Sequence, residues 1–392
     1  MVEIQTDDVK NIKILGDSPT NNATYFNFDS YITTFLQIIQ DSQIETPFTI
    51  AIDGKWGSGK TSLMKTIREK LKNGSSKRKI KTVWFDAWKY SEQDSLLAEL
   101  AFEIYQEVIN EKGIIKSGIV FRYWRKIHYF FTRSKRINSL NIISDFSNVL
   151  ISSVAITYGI VPLEQNKLDI KKWVNEPIYE KNLTFYRRFQ QFLDGVMDVF
   201  VFNNVSRSNS EDDGFLVIFI DDLDRCSPKA IANILESINL FFDQKGCLFI
   251  IGMDLNMVSK AIEIHYKDFE SSGVFSGREY LKKMIQLEFS LPEIREKNVK
   301  EYIEREIGID PSLQESINLI IQSLQGNPRE IKRFINSFKF LKLLQSNRKN
   351  WVMNDELLIK WILSNFVSGE FVNAVKNDPG LLIALQEYAQ SA

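Results

Sequence analysis

The stretch PFTIAIDGKWGSGKTSLMKTIREKL (Pro47–Leu71) decides the reading of this chain. PFTIAID is a short apolar, β-branched run that predicts a buried strand, and SLMKTIREKLK after the turn has the period of a helix. Between them GKWGSGKT (Gly54–Thr61) fits G-x-x-x-x-G-K-[ST] at every position. A strand, a glycine-rich turn and a helix in that order are the context in which the pattern forms a P-loop; a chance match in a turn would not carry both flanks.

The chemistry explains the residue types. Gly54, Gly57 and Gly59 permit positive φ and close backbone approach, so that successive N–H groups turn inward around a polyphosphate at a helix N-terminus. The expected cradle is Gly54, Lys55, Trp56, Gly57, Ser58, Gly59, Lys60, Thr61 and Ser62. Lys60 is the catalytic cation facing the β and γ phosphates, and Thr61 is a ligand of the Mg²⁺ that bridges them. The expected cofactors are therefore ATP and Mg²⁺.

A length of 392 residues allows two or more domains with covered cores, and 44% hydrophobic with 25% charged residues is an ordinary globular composition. With 49 Lys and Arg against 50 Asp and Glu, the net charge of −1 excludes binding of polyanions by bulk charge. Cys226 and Cys247 have neither a C-x-x-C spacing nor a histidine set for zinc, and read as buried thiols in a reducing cytosol. MVEIQTDDVK at the N-terminus shows no basic segment followed by an apolar core, so the expected location is cytoplasmic.

Outward from the P-loop, residues 28–40 (FDSYITTFLQIIQ) predict a helix capped by Asp29 or Ser30, and TVWFDAW (Thr82–Trp88) a half-buried strand. Ser91 and Asp94 resemble a capping box opening a helix over about 92–109. Residues 111–180 read as a helical insertion. From Ile119 to Arg136 no acidic residue occurs. On a helical wheel Arg122, Arg125, Lys126, Arg133 and Arg136 share one face, with Val120, Tyr123, Trp124, Ile127, Phe130 and Phe131 opposite. Two readings stay open: a basic amphipathic helix on an anionic membrane surface, peripheral at the inner face of the plasma membrane, or a helix docked on its own protein. Phe146–Leu163 is uncharged and approaches the length of a membrane span, but its serines, Asn148, Thr157 and Pro162 argue against one.

A further helix over about 180–202 precedes FLVIFI (Phe215–Ile220), a continuous apolar run expected of a central parallel strand, which ends in DDLDRC (Asp221–Cys226). This is the Walker B arrangement. Asp221 is the second metal ligand, and Asp222, next to it, is the candidate base for an attacking water. Asp224 and Arg225 form either an ion pair or a solvated turn. A helix, the strand CLFIIGMD (Cys247–Asp254) and another helix follow, so strands alternate with helices as in a doubly covered parallel sheet. Asp254 is the sole polar residue at that strand's tip, and it receives no role. Beyond Pro292 the pattern is helical, with GNPREIKRFIN (Gly326–Asn336) starting a helix at Asn327 and Pro328. NKLD (Asn166–Asp169) fits a guanine-reading pattern but precedes the acidic strand, which favours ATP over GTP.

Five segments together resemble the KAP family of P-loop NTPases: WGSGKTS (Trp56–Ser62), FDAWKY (Phe85–Tyr90), DDLDRC, YLKKMIQLEFSLP (Tyr280–Pro292) and GNPREIKRFIN. The resemblance implies an ATPase core with a C-terminal helical lid. It also implies membrane association through segments inserted between the two Walker motifs, and in bacterial members a link to phage exclusion. This chain departs from the pattern in lacking two clear spans. Arg329 matches the family's lid arginine, the third catalytic candidate; Arg333 is a weaker one.

The expected fold class is thus α/β: a P-loop NTPase with a parallel sheet covered by helices, a helical insertion between Walker A and Walker B, and a C-terminal all-α lid. The expected divisions are 1–110 and 181–292 for the NTPase domain, 111–180 for the insertion and 293–392 for the lid. The function expected is an ATPase coupling Mg-ATP binding and hydrolysis to a conformational switch in an anti-phage system, with a protein partner or self-association. The alternatives are a nucleotide-gated scaffold with little turnover, a small-molecule kinase and a DNA-acting motor. No acceptor-binding motif and no nucleic-acid readout module is recognisable.

Overall fold

The structure, a computed structural model, describes residues 14–17, 19, 28–40, 44–74, 79–91, 99–100, 103–104, 106–107, 214–239, 245–267, 275–292, 294–304, 311–347, 353–381 and 384. The insertion 111–180 with both of its singled-out segments, NKLD, and the helix expected over 180–202 lie outside the described residues. Of the helix expected over 92–109, residues 99, 100, 103, 104, 106 and 107 are described and helical. Among the described residues no helix is long and apolar enough to cross a membrane.

The described chain divides into two compact units, one of Met1–Ile32, Lys55–Thr66 and Leu291–Ala392, the other of Thr33–Gly54 and Ile67–Ser290. The second holds a five-stranded sheet: β1 (Phe48–Asp53), β2 (Ile80–Asp86), β3 (Phe215–Asp221), β4 (Cys247–Met253) and β5 (Leu287–Ser290), in the order β2-β3-β4-β1-β5. Every adjacent pair is parallel. The fold is α/β, as the alternation of apolar strands and helices implies.

Burial follows position in the sheet. All seven residues of β3 and of β4 are buried, because both strands are interior and covered on both faces, hence their unbroken apolar runs. On one face Leu216, Ile218 and Ile220 of β3 and Phe249 and Ile251 of β4, with Ala51, Val83 and Phe85, join Ile231, Ile234 and Leu235 of one helix and Val258 and Ile262 of another in one core. β5 is an edge strand whose residues alternate between half-buried and exposed. With four residues and no apolar run it leaves no strand signature in the sequence, and none is expected there. β2 ends at Asp86 instead of Trp88, and the bond from Ala87 N–H to the Asp221 carbonyl at 3.0 Å is the last of its ladder with β3.

Helices α1 (Asp29–Gln40) and α2 (Lys60–Asn73) cross the division between the units; α3 (Pro228–Asn239), α4 (Leu255–His265) and α5 (Gly277–Lys282) belong to the unit of the sheet. Asp29 lies inside the first turn of α1, whose first bond runs from Ile32 N–H to the Phe28 carbonyl, so the helix begins a residue before the expected cap.

The other unit carries α6 (Glu296–Tyr302), α7 (Ile317–Ser323), α8 (Pro328–Ser346), α9 (Asp355–Val367) and α10 (Gly369–Asn377). Their starts are written in the sequence: the side chains of Asn327, Asn354 and Ser368 accept N–H bonds at the heads of α8, α9 and α10. Stacked Phe334 and Phe338 of α8 are fully buried, with Phe366 of α9 edge-on to Phe334. Each such ring stabilises the packing by roughly 1.5–3 kcal/mol.

Candidate functional site

The P-loop forms where its glycines predict. Gly57 and Gly59 adopt φ of +81° and +101°, values costly for any residue with a Cβ. Gly54 does not share this conformation, contrary to the expectation: its N–H donates to the Met253 carbonyl at 3.2 Å, which prolongs the pairing of β1 with β4 by one residue. The loop closes through Ser58 N–H to the Lys55 carbonyl at 3.2 Å, and Lys60 opens α2. Lys60 is buried at 7% exposure, its Nζ donating to the Lys55 carbonyl at 3.3 Å. A buried ammonium and the N-terminus of a 14-residue helix make the loop electropositive.

Two features test whether a polyphosphate fits. The Ser58 hydroxyl is buried and has no hydrogen-bond partner among the described residues. Left so, it would cost about 1–3 kcal/mol, and an anionic oxygen would remove that cost. The positive φ of Gly57 and Gly59 is meanwhile the backbone conformation from which anion nests are built. The residues present fit a phosphate ligand.

In the same unit the head of α8 reaches the loop. Asn327 Nδ2 donates to the Trp56 carbonyl at 2.9 Å while its Oδ1 accepts from the N–H groups of Arg329 and Glu330 at 3.0 and 3.4 Å. A Cβ on Gly57 would stand 2.5 Å from Asn327 Oδ1, so this approach needs glycine for space as well as for φ. The Arg329 guanidinium lies 4.7 Å over the Trp56 ring. Its Nε pairs with Asp17 at 2.7 Å, a partner 312 residues away in sequence. Sequence reasoning missed both Asn327 as a P-loop contact and Asp17. Only Asn327 had a signal, its place before Pro328. Arg333 is apart from these contacts, paired with Glu330 at 3.1 Å and 6.0 Å from the Phe366 ring.

The unit of the sheet brings carboxylates to the C-terminal edges of its strands. Asp86 and Asp221 are register partners at the ends of β2 and β3. Asp53 is committed to structure, accepting from Leu255 N–H at 2.9 Å and the Ser290 hydroxyl at 3.4 Å. Asp254 caps α4 through Asn256 and Met257 N–H, which accounts for the one polar residue at that tip. Asp86 accepts from Lys89 N–H at 3.1 Å. Asp221 is 5% exposed, a buried carboxylate at the end of an apolar strand. A carboxylate at the C-terminal edge of a parallel sheet offers the hard oxygen donors that suit a cation ligand.

Asp222 is held at φ 56°, ψ 31°, left-handed backbone that a non-glycine residue adopts only when its surroundings impose it. Its carboxylate pairs with Arg225 at 3.1 Å, and the Arg225 guanidinium lies 5.6 Å from the Trp88 ring. Asp222–Arg225 is thus an ion pair within this turn. The turn is closed by Cys226, whose thiol donates to the Asp222 carbonyl at 3.7 Å; burial, then the charges of Asp86, Asp224 and Asp222, push that thiol up to about 12.

A parallel sheet with a P-loop after β1 and a buried aspartate ending β3 defines the class, a P-loop NTPase. The chain belongs to the KAP family: the family model described as KAP family P-loop domain matches residues 28–344. Among relatives, the Phage T7 exclusion protein of Escherichia coli (strain K12) is 26% identical over 349 residues, 81% of this chain and 41% of that protein. The chain thus spans about two fifths of that relative's length. Similar solved structures include the Aeropyrum pernix ORC1 protein in complex with DNA (10% identity, TM-score 0.40, 92% of this chain and 68% of that one). The Drosophila ORC bound to DNA is similar at 11% identity and TM-score 0.43, over 94% of this chain and 67% of that one.

Proposed function

We propose that this chain is an ATPase whose binding and hydrolysis of Mg-ATP drive a conformational switch, within a bacterial system that excludes or defends against phage. The observation that carries the reading is the P-loop itself: two positive-φ glycines, a buried Ser58 hydroxyl lacking a partner and a buried Lys60 at the head of α2. In this reading Lys60 binds the β and γ phosphates, Thr61 and Asp221 hold Mg²⁺, and Asp222 orients and deprotonates the attacking water. A bound Mg²⁺ supplies charge neutralisation for the transferring phosphoryl group. Arg329, at the head of α8, is the cation that meets the terminal phosphate and closes the C-terminal helices as a lid. The place in phage exclusion is supported by the similarity to the Phage T7 exclusion protein.

One observation favours a second reading, a nucleotide-gated scaffold with little turnover: Arg225 is ion-paired with Asp222 Oδ1 at 3.1 Å, an engagement that a general base would have to share with the attacking water. The two are separated by steady-state phosphate release from the purified chain with Mg-ATP. Lys60→Ala is expected to abolish tight nucleotide binding in either case. Wild-type affinity in that variant would remove the site.

A further inference from the structure

We infer that Asp17 is a positioning residue for Arg329, fixing the guanidinium so that its Nη edge is presented to an anion, the terminal phosphate of a nucleoside triphosphate. This rests on the reading of Arg329 given above. It adds a segment that the family match, which begins at residue 28, does not include.

Three observations carry it. First, the segment bearing Asp17 is anchored to α8 itself. Asn336, seven residues and two turns beyond Arg329 and so on the same side of the helix, accepts from Leu15 N–H at 2.8 Å and donates to the Leu15 carbonyl at 2.9 Å. The segment therefore travels with the helix that carries the arginine. Second, Asp17 grips one edge of the guanidinium: Nε lies 2.9 and 2.7 Å from its two carboxylate oxygens. Among the described residues neither Nη of Arg329 has a hydrogen-bond partner. Third, Trp56 of the P-loop lies under the guanidinium at 4.7 Å, and its carbonyl is held by Asn327, so face and edge of Arg329 are both fixed relative to the loop. An arginine held by Nε and by its face has lost rotamer freedom before any ligand arrives, and its Nη pair remains as a fork for two phosphate oxygens.

Asp17 also places a negative charge near the proposed phosphate, which opposes binding. Its side chain is 56% exposed, so that repulsion is screened and worth a factor of a few at most, whereas a misdirected charge-assisted hydrogen bond costs about tenfold or more. Orientation is expected to win.

The test is titration of the full chain with a fluorescent non-hydrolysable ATP analogue and with fluorescent ADP, both with Mg²⁺. Asp17→Ala is expected to weaken the triphosphate about tenfold and the diphosphate less than about twofold. Asp17→Asn, whose amide oxygen still accepts from Nε, should stay within about threefold of wild type. Arg329→Ala should lose the same selectivity, and Asp17→Ala combined with it should lose no more. Should the alanine variant not fold, Asp17→Ser, too short to reach Nε, takes its place. Unchanged selectivity in Asp17→Ala alongside its loss in Arg329→Ala overturns the inference and leaves the role of Arg329 standing. No effect of Arg329→Ala overturns the underlying reading. Equal weakening of both nucleotides by Asp17→Ala makes the residue merely structural, and tighter triphosphate binding makes it a competitor of the phosphate; either result refutes positioning.

Discussion

Gly57→Ala tests the junction between the P-loop and the head of α8 with a single methyl group. The new Cβ meets two costs. At φ +81° an L-residue pays about 1–2 kcal/mol against glycine. The methyl would also lie 2.5 Å from Asn327 Oδ1 and 2.9 Å from its Nδ2, well inside the roughly 3.5 Å at which such atoms rest. Asn327 is not a loose end that swings aside. Its Oδ1 caps α8 and its Nδ2 holds the Trp56 carbonyl, so making room forfeits a cap worth about 1 kcal/mol and a hydrogen bond worth about as much. The total is about 3–4 kcal/mol, a large part of the 5–15 kcal/mol typical of a domain. Urea unfolding should show that loss, and fluorescent ATP binding should weaken with it. Asn327→Ser keeps a capping hydroxyl on a shorter side chain, so the double variant should regain about 1 kcal/mol relative to Gly57→Ala alone, leaving the φ cost and the lost bond to the Trp56 carbonyl. Wild-type stability in Gly57→Ala, or no recovery in the double variant, would refute the account of this contact.

Asp222→Asn should retain Mg-ATP binding yet lower phosphate release by about 100-fold, since the amide keeps the shape and cannot take a proton; persistent turnover there, with its loss in Asp221→Asn, would assign Asp222 to the Arg225 ion pair alone. Burial pushes the Cys247 thiol from an ordinary 9.0 up to about 12, so the unfolded chain loses this proton first. Its contribution is fully present below about pH 9 and falls as pH rises toward 12, by about 1 kcal/mol at pH 10. Urea unfolding at pH 8 and pH 10 should therefore show a smaller drop in Cys247→Ala than in wild type, and equal drops would contradict the burial. If the segment from Ile119 to Arg136 attaches to anionic vesicles, each cation contributing about 1 kcal/mol, then Arg122→Glu, Arg125→Glu and Lys126→Glu together should release the protein while sparing ATP binding. No wild-type co-sedimentation at low salt would favour a helix docked on its own protein.

Much of the site was legible because its information is local. A P-loop is one contiguous segment whose glycines, lysine and flanking periodicities must stand at set spacings, and Asp221 is announced by the apolar run that ends in it. Strand interiors were equally plain: β3 and β4 are buried on both faces, so their residues are apolar up to the terminal Asp221 of β3. Asn327 before Pro328 marked the head of α8 for the same reason, since capping is settled within one turn.

What only the tertiary structure decided depends on partners that the chain order does not name. β5 exists because β1 offers it a ladder, not because four residues prefer extension. Arg225 meets Asp222, three residues before it, in a turn whose left-handed backbone at Asp222 the sequence does not announce. Gly54 was needed for a glycine-rich turn by pattern, yet pairing with Met253 claimed its N–H. Asp53 and Asp254, carboxylates at strand ends like Asp221, turned out to be bound up in the turns around them. The contact of Asp17 with Arg329, across 312 residues, has no periodicity or spacing that could announce it. The sequence alone determined a nucleotide-binding loop and a buried sheet, because spacing and hydrophobic pattern act over one element. The choice of charge partners fell to the fold, because ion pairs and hydrogen bonds between distant segments are set by which backbones packing brings within 3 Å of each other.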